Sequence, residues 1–306
     1  MKNYKTPPVL FVIFNRKDIA LKSFNSIRKA KPERLFVACD GPRTENEAEK
    51  VRLTREAILS AIDWECDVRT LFQDGNLGCG KGVYTAIDWF FNNVDSGVIL
   101  EDDCIAENTF FKYAAELLEK YKDDQRIGMI AGYNPINIKD YPYSYIFSRY
   151  KSCWGWATWR RAWKNMDLDM KWRETGECES ILANMGDGGL DRSGWIFKLN
   201  AVDNNHVSAW DWQWFFTLSG QNQLCIYPEV NLISNIGNDQ DATHTSLASI
   251  TIPSSPLKFP LVAPRYFVPW RDFEVSFYRR STTWRIKLVR LLPHGFKQKV
   301  KKLLSK

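Results

Sequence analysis

The stretch Gly97-Val98-Ile99-Leu100-Glu101-Asp102-Asp103 runs from an apolar, β-branched segment straight into three adjacent carboxylates. Three neighbouring carboxylates repel one another unless a positive group lies between them. Oxygen ligands at the carboxyl end of a strand suit a divalent cation that shares its other positions with phosphate oxygens and water. The stretch therefore predicts a buried strand that ends in a Mg²⁺ or Mn²⁺ site. The alternative is a solvated acidic turn that opens the next helix near Glu107.

Strand and helix patterns alternate on both sides of this stretch. Apolar runs predict strands at 9–14, 35–39, 68–72, 98–100 and 127–131, with helices at 18–30, 44–62, 81–93 and 107–122. The second helix opens on a capping-box pattern, Thr44-x-x-Glu47. The alternation predicts an α/β fold with a Rossmann-like parallel sheet, whose ligands bind at the carboxyl ends of the strands.

The composition is that of a globular chain with 306 residues, 44% of them hydrophobic, and a formal charge of +6. The body lacks a basic stripe interleaved with aromatic residues, which argues against nucleic-acid binding. Seven scattered cysteines without CxxC spacing favour reduced thiols in the cytoplasm. The apolar run at 9–14 is shorter than a signal-peptide core or a membrane-spanning helix, so we expect a cytoplasmic chain.

Polar residues follow the predicted strands and should meet in one crevice that can hold a nucleotide. Arg16 follows the first strand, Asp40 the second, and the glycine-rich segment 75–82 the third. Asp40 could accept a hydrogen bond from a base N–H or a ribose hydroxyl, and Lys81 could meet phosphate at a helix start. The glycine segment matches neither the P-loop nor the dinucleotide fingerprint. Taken singly, these residues could also be structural or solvated.

Tryptophan is concentrated in two segments, 153–163 and 210–214. Indole faces pack well against the C–H face of a sugar. Asp211 lies between two tryptophans, and a carboxylate with a restricted water shell is the setting in which a general base is tuned towards neutral pH. The alternative is that the tryptophans are core residues and Asp211 is the partner of an indole N–H or an arginine.

The segment 284–306 carries eight Lys or Arg residues and no Asp or Glu. Its apolar residues recur at helical spacing on either side of Pro293, which predicts two short amphipathic helices suited to an anionic membrane surface. The alternative is a basic helix that docks on the body of the protein.

Taken together, these residues resemble the GT-A class of nucleotide-sugar glycosyltransferases, and in particular N-acetylglucosaminyltransferase I and its bacterial relatives. The similarity covers roughly residues 7–245. It rests on an ordered series: Pro8-Val9-Leu10, Asn15-Arg16, Asp40, Gly78, Lys81, Glu101-Asp102-Asp103, Gly155-Trp156, Trp210-Asp211-Trp212, Pro228-Glu229-Val230, Gly237 and His244.

The resemblance implies a GT-A fold with a Trp-rich acceptor lobe and a set of donor contacts. Asp103 would hold the metal through the donor's diphosphate, with Asp102 near the ribose and Glu101 near the donor sugar. Arg16 and Asp40 would bind uridine.

The resemblance also implies roles for four later residues. Asp211 would deprotonate the acceptor hydroxyl, and Trp156 and Trp210 would line the pocket that binds the donor sugar. His244 would lie on a loop that orders over the donor.

We therefore expect a metal-dependent inverting glycosyltransferase. It would move a sugar from a nucleotide-diphosphate donor, a UDP-sugar, to a glycan or lipid-linked acceptor in surface polysaccharide biosynthesis at the inner face of the cell membrane. The expected parts are a nucleotide-sugar-binding half at 1–105, an acceptor half at 106–249, a wrapping segment at 250–283 and the basic tail at 284–306. Two alternatives are a sugar-nucleotide nucleotidyltransferase, although no basic glycine-rich signature adjoins the first strand, and a non-catalytic carbohydrate-binding protein.

Overall fold

The first half of the chain alternates strands and helices. The computed structural model describes residues 4–136, 138, 141–186, 191–203, 208–237 and 251–282. The strands are β1 Val9–Ile13, β2 Arg34–Cys39, β3 Asp67–Phe72, β4 Ser96–Glu101, β5 Cys104–Ala106, β6 Ile127–Ala131, β7 Tyr145–Ser148, β8 Trp156–Trp159, β9 Leu224–Pro228 and β10 Ile233–Asn235. The helices are α1 Lys17–Ala30, α2 Glu45–Ser60, α3 Cys79–Asn93, α4 Asn108–Lys120, α5 Arg160–Trp163, α6 Cys178–Ala183, α7 Arg192–Asp203, α8 Asp211–Gly220 and α9 Arg271–Ser281, with a 3₁₀ turn at Lys171–Glu174.

Eight strands form one mixed sheet in the order β3-β2-β1-β4-β8-β6-β9-β7. Strands β3, β2, β1 and β4 are parallel to one another, as the alternation of patterns predicted. Strand β8 lies antiparallel between β4 and β6, and β7 is antiparallel to β9. The architecture is a mixed α/β fold with a large, parallel-rich sheet, consistent with a Rossmann-like nucleotide-binding fold.

Two hydrophobic clusters cover the two faces of the sheet, because alternate residues of a strand point to opposite faces. Phe11 and Leu100 pack with α1, α2 and α4 on one face, whereas Leu10 and Ile99 pack with α3 and α8 on the other. Because both faces of the sheet are covered, the sequences of the central strands are nearly continuous apolar runs.

The tryptophan-rich segments belong to this core. The exposed fraction of five tryptophans is between 0% and 4%; these are Trp156, Trp159, Trp163, Trp210 and Trp214. Strand β8 carries two of them in the middle of the main sheet. The prediction of a tryptophan-rich lobe packed against the sheet is therefore not confirmed. These five side chains are core residues, as the alternative proposed.

The capping box predicted at the start of α2 is wrong. Thr44 precedes the helix without a side-chain capping bond. The Glu47 carboxylate instead accepts from the backbone N–H of Arg43 at 2.8 Å and from Asn15 Nδ2 at 2.6 Å, and it also binds the Arg43 guanidinium. The Glu47 carboxylate is thus occupied by Arg43 and Asn15 and does not reach back to the backbone N–H of Thr44, as the box would require. The contact ties the start of α2 to the loop that follows β1.

The segment 251–259 packs against β10 and the start of α4, and the segment 262–270 follows β7, the outer strand of the sheet, before α9 begins. Val262 exchanges hydrogen bonds with Ser144, and Pro269 bridges to Phe147 of β7. Strands from both expected halves of the chain share one sheet, and the division at residue 105 remains a prediction. No helix among the described residues is long and apolar enough to cross a bilayer. The basic tail at 284–306 lies outside the described residues.

Candidate functional site

The acidic triplet lies at the carboxyl end of β4, where Arg16 enters it from the start of α1. Arg16 Nε donates to Asp102 Oδ2 at 3.3 Å, and Nη2 bonds both Asp102 Oδ1 and, at 3.0 Å, Asp103 Oδ2. The Asp102 side chain is 7% exposed and that of Asp103 is 18% exposed. The positive group that three adjacent carboxylates require is thus supplied in part by Arg16.

Electrostatics in this cluster depend on burial. Burial lowers the pKa of Arg16, but attraction to Asp102 and Asp103 outweighs it and the net pKa is raised, so the guanidinium stays charged. Burial raises the pKa of Glu101 well above its usual range, and the charges of Asp103, Asp102 and Asp211 raise it further. Glu101 is therefore harder to ionise than an exposed glutamate, and Asp211 lies close enough to contribute to this effect.

Asp103 is held from its other side by the segment around β10. Asn235 Nδ2 donates to Asp103 Oδ1 at 3.1 Å, and the Cys104 thiol contacts the same oxygen at 3.5 Å. A Cβ built on Gly237 would lie 2.1 Å from Asp103 Oδ2, so only glycine allows this approach. The carboxylate is fixed in position while part of it faces solvent.

These carboxylates fit a cation that is shared with a substrate. No group of three or more His, Cys, Asp or Glu side chains in the described ranges is arranged to hold a metal by itself. Mg²⁺ in nucleotide sites is commonly bound by one or two carboxylates together with phosphate oxygens and water. Asp103 and the adjacent Asp102 are the one or two carboxylates that such a site needs.

Asp40 organises the glycine-rich loop. Its Oδ1 accepts from the backbone N–H groups of Gly41 and Leu77, both at 2.9 Å, and its Oδ2 accepts from Gly78 at 3.0 Å. Gly78, just before α3, has a φ of +83°, which glycine adopts without strain. The structure places Asp40 against the loop's own backbone, and a direct contact with a nucleotide remains a prediction.

Two residues at this edge escaped the sequence analysis. Arg55 of α2 donates from Nη2 to the carbonyls of Asp40 at 3.1 Å and Gln73 at 2.7 Å, which ties together the loops after β2 and β3. Burial, together with the charges of Glu101, Asp211 and Asp40, raises the pKa of Cys79 to about 12. Cys79 therefore lies within electrostatic range of three predicted site residues. An arginine inside a helix and a lone cysteine carry no sequence signal for such positions.

Asp211 begins α8, close to the start of α3. The Ser208 hydroxyl accepts from the backbone N–H of Gly80 at 2.9 Å, which joins the two helix starts. The Trp156 and Trp210 rings lie 5.9 Å apart in a stacked arrangement within the core. Their role in donor binding and that of Asp211 as proton acceptor stay predictions.

The structure thus brings most of the predicted residues to one edge of the sheet. Lys81 lies in the first turn of α3 and is exposed. His244 lies outside the described residues.

Comparison with known proteins gives structural likenesses only, since no protein-family model and no curated protein matches the chain. One similar structure is 4-diphosphocytidyl-2C-methyl-D-erythritol synthase from Anaerococcus prevotii DSM 20548, with 8% identity over 56% of this chain and 78% of that chain and a TM-score of 0.34. A cytidylyltransferase from Leptospira borgpetersenii has 13% identity, over 54% and 64%, with a TM-score of 0.32. The inositol-1-phosphate CTP transferase from T. maritima has 10% identity, over 53% and 74%, with a TM-score of 0.33.

These names contradict the prediction of a glycosyltransferase. They belong to enzymes that handle cytidine nucleotides, none names a glycosyltransferase, and they agree with the nucleotidyltransferase alternative. The resemblance to N-acetylglucosaminyltransferase I is not shown, and neither are a UDP donor, a glycan acceptor or a part in polysaccharide biosynthesis. At such low identities and TM-scores, the likenesses assign no residue role to this chain.

Proposed function

We propose that the chain is a transferase that binds a nucleotide with a divalent cation at the carboxyl edge of its sheet and transfers a nucleotidyl group to a phosphorylated acceptor, such as a sugar phosphate. One observation carries the proposal. The Asp40-anchored loop at the start of α3 and the Asp102–Asp103 pair after β4 lie at the same sheet edge.

The loop and α3 offer a place for phosphate. The amino end of a helix carries partial positive charge, and α3 is a 15-residue helix whose Gly80 N–H already donates to Ser208. Lys81 adds a full positive charge in the first turn, and its side chain is exposed. Gly80 and Gly82 leave little room for a side chain, since an added Cβ would lie 2.9 Å from the Ser208 hydroxyl and 3.1 Å from Asp40 Oδ2, respectively.

Asp103, supported by Asp102, would hold Mg²⁺ or Mn²⁺ against the phosphates. A cation there would neutralise the charge that grows on the departing pyrophosphate. Arg16 holds both carboxylates in position before substrate arrives, which is the preorganisation that electrostatic catalysis requires.

The proposed reaction forms one bond and breaks one bond. A phosphate oxygen of the acceptor attacks the α-phosphorus of a nucleoside triphosphate, and the bond from that phosphorus to the β-phosphate bridging oxygen breaks. Pyrophosphate leaves with the electron pair. A phosphate monoester, whose second pKa is about 6, is largely a dianion at neutral pH and needs no protein base.

Pyrophosphate release tests the proposal. The protein is incubated with each of the four common nucleoside triphosphates, Mg²⁺ and a panel of sugar phosphates, and pyrophosphate is measured with a coupled enzyme. We expect one combination to react, Asp103→Asn to lose the activity, and Asp95→Asn, at the opposite end of β4, to keep it. A protein that splits nucleotide sugars to nucleoside diphosphates without forming pyrophosphate would contradict the proposal.

Binding of the segment 284–306 to an anionic membrane surface is a second proposal, supported by its eight basic residues and the absence of acidic ones. Each basic residue near such a surface contributes about 1 kcal/mol. Replacing Lys297, Lys299, Lys301 and Lys302 with Gln should therefore release most of the protein from vesicles that contain phosphatidylglycerol. Undiminished binding would contradict this role.

A further inference from the structure

A patch of exposed apolar side chains lies on the segment that follows the outer edge of the sheet. Among the described residues, the three most exposed large hydrophobic side chains are Tyr266 at 67%, Val268 at 61% and Val262 at 51%. The other exposed side chains of this kind, in α2 and β3, are at most 39% exposed. These three residues fall within seven positions of the chain, and we call this segment the 262–268 patch.

The patch is held rigidly from behind. Val262 N donates to Ser144 Oγ at 2.9 Å, and Ser144 N donates to the Val262 carbonyl at 2.8 Å. The Phe267 ring packs 4.3 Å from that of Phe147, with the Arg126 guanidinium 3.8 Å from its centre. The inward residues thus pack on the sheet while their neighbours point outward. The exposure of the patch is built into the fold.

The segment that carries the patch is basic, and the acidic residues next to it are Asp124, which pairs with Arg126 over the Phe267 ring, and Asp272, which follows Arg271. Residues 251–271 contain Lys258, Arg265 and Arg271 and no Asp or Glu. The Arg265 guanidinium lies 5.5 Å from the centre of the Tyr266 ring. Tyr266 lies beside Arg265 and between two valines in the sequence, so the surface is apolar with a hydroxyl and a guanidinium at its ends. Such side chains are favoured where a protein contacts the headgroup region of a bilayer.

The position of the patch along the chain agrees with such a surface. Segment 262–268 leads through α9, whose last turn carries the exposed Arg279 and Arg280, to the basic residues 284–306. A second copy of this chain would meet the same positive charges, which repel one another across a shared interface. An anionic bilayer complements them.

The geometry points to the 262–268 patch as a membrane-contact element that inserts Tyr266 and Val268 into the headgroup region of an anionic bilayer. Apolar burial holds the protein there, and Arg265 contacts lipid phosphates. This element is separate from the nucleotide site and does not depend on its function.

Vesicle sedimentation of the full-length protein tests the inference. Vesicles of phosphatidylcholine with and without phosphatidylglycerol are compared for wild type, for Tyr266→Ser with Val268→Ser, and for Leu53→Ser as an exposed apolar control in α2. We expect the double variant to bind the anionic vesicles about tenfold more weakly, from the loss of about 1.4 kcal/mol of apolar burial, and the control to bind as wild type. The deficit should persist at high salt, unlike one caused by the lysines of 284–306.

Three results would overturn the inference. They are wild-type binding by the double variant, no vesicle binding by the intact protein, and a dimer in sedimentation velocity that the double substitution converts to a monomer. Nucleotide binding measured on the same variants separates a failure of this inference from a failure of the proposed enzyme activity.

Discussion

Removing the charges of Arg16 and Asp102, singly and together, measures how much their ion pair stabilises the cluster of carboxylates at the end of β4. The variants are Arg16→Gln, Asp102→Asn and the double substitution. Arg16 reaches Asp102 through two nitrogens and Asp103 through one. Because the side chains of Arg16 and Asp102 are 18% and 7% exposed, water and salt screen the pair only weakly.

The expected coupling follows from this geometry. Two unit charges about 4 Å apart attract by about 4 kcal/mol at an effective dielectric constant of about 20. Removing one partner of a buried pair costs about 3–5 kcal/mol, because the other charge is left uncompensated. Arg16→Gln should therefore lose about 3 kcal/mol of unfolding free energy, and Asp102→Asn less, because Arg16 keeps its bond to Asp103. The double variant should lose little more than Arg16→Gln, which gives a coupling energy of about 1–3 kcal/mol.

Urea unfolding of the four proteins in EDTA, followed by circular dichroism, measures this coupling. The ion pair of Arg28 with Asp63 is the control, because it has similar two-nitrogen geometry but side chains 47% and 51% exposed. Its coupling should be much smaller. If the coupling of Arg16 with Asp102 were no larger than that of the control pair, the assignment of Arg16 as the positive group within the acidic cluster would be refuted.

Three further predictions concern other parts of the chain. Burial lowers the pKa of Lys151 from 10.5 to about 7, so the unfolded state binds one more proton at this residue between these values. Lys151 should contribute a rise in stability of about 1.4 kcal/mol per pH unit from about pH 7 to about pH 8.5, above which buried thiols such as that of Cys79 act in the opposite direction. Lys151→Met should remove that slope and stabilise the protein at neutral pH, which urea titrations at several pH values measure, and an unchanged slope would contradict the assignment. Asp40→Asn replaces an oxygen that accepts from the Gly78 N–H with an amide NH₂, so the loop should lose a hydrogen bond and the nucleotide affinity measured by calorimetry should fall about tenfold. Undiminished affinity would show that the glycine-rich loop keeps its conformation without the Asp40 carboxylate. Gly237→Ala should displace Asp103 and weaken cation-dependent nucleotide binding, and unaltered cation dependence would exclude that contact from the site.

The parallel part of the fold was predictable because its strands are buried on both faces. Continuous apolar runs separated by amphipathic helices have few other solutions, and the observed strands and helices up to Ala131 lie within two residues of the predicted bounds, except for the short strand β5, which was not predicted. Strand β8 was not predicted, since four residues with two tryptophans carry no signal for an antiparallel strand between β4 and β6. The same strand buries Trp156 and Trp159, two of the tryptophans whose concentration suggested a sugar-binding surface.

The site was partly predictable because strand ends and charges can be read along the chain. The acidic triplet and Arg16 follow predicted strands, and they do meet. The use of Asp40 within the loop and the bridging by Arg55 depend on contacts between residues far apart in sequence, which a periodic pattern does not encode. The choice between glycosyl and nucleotidyl transfer depends on the atom attacked, and the residues that would bind a cation and phosphates are similar in both.

Isothermal titration of nucleoside triphosphates into the protein, with Mg²⁺ or with EDTA, tests the central claim most directly. The account predicts that at least one nucleotide binds with Mg²⁺, that EDTA or Asp103→Asn weakens this binding at least tenfold, and that Asp95→Asn leaves it unchanged. Binding that is indifferent to the cation and to Asp103, or the absence of binding by any nucleotide, would contradict it.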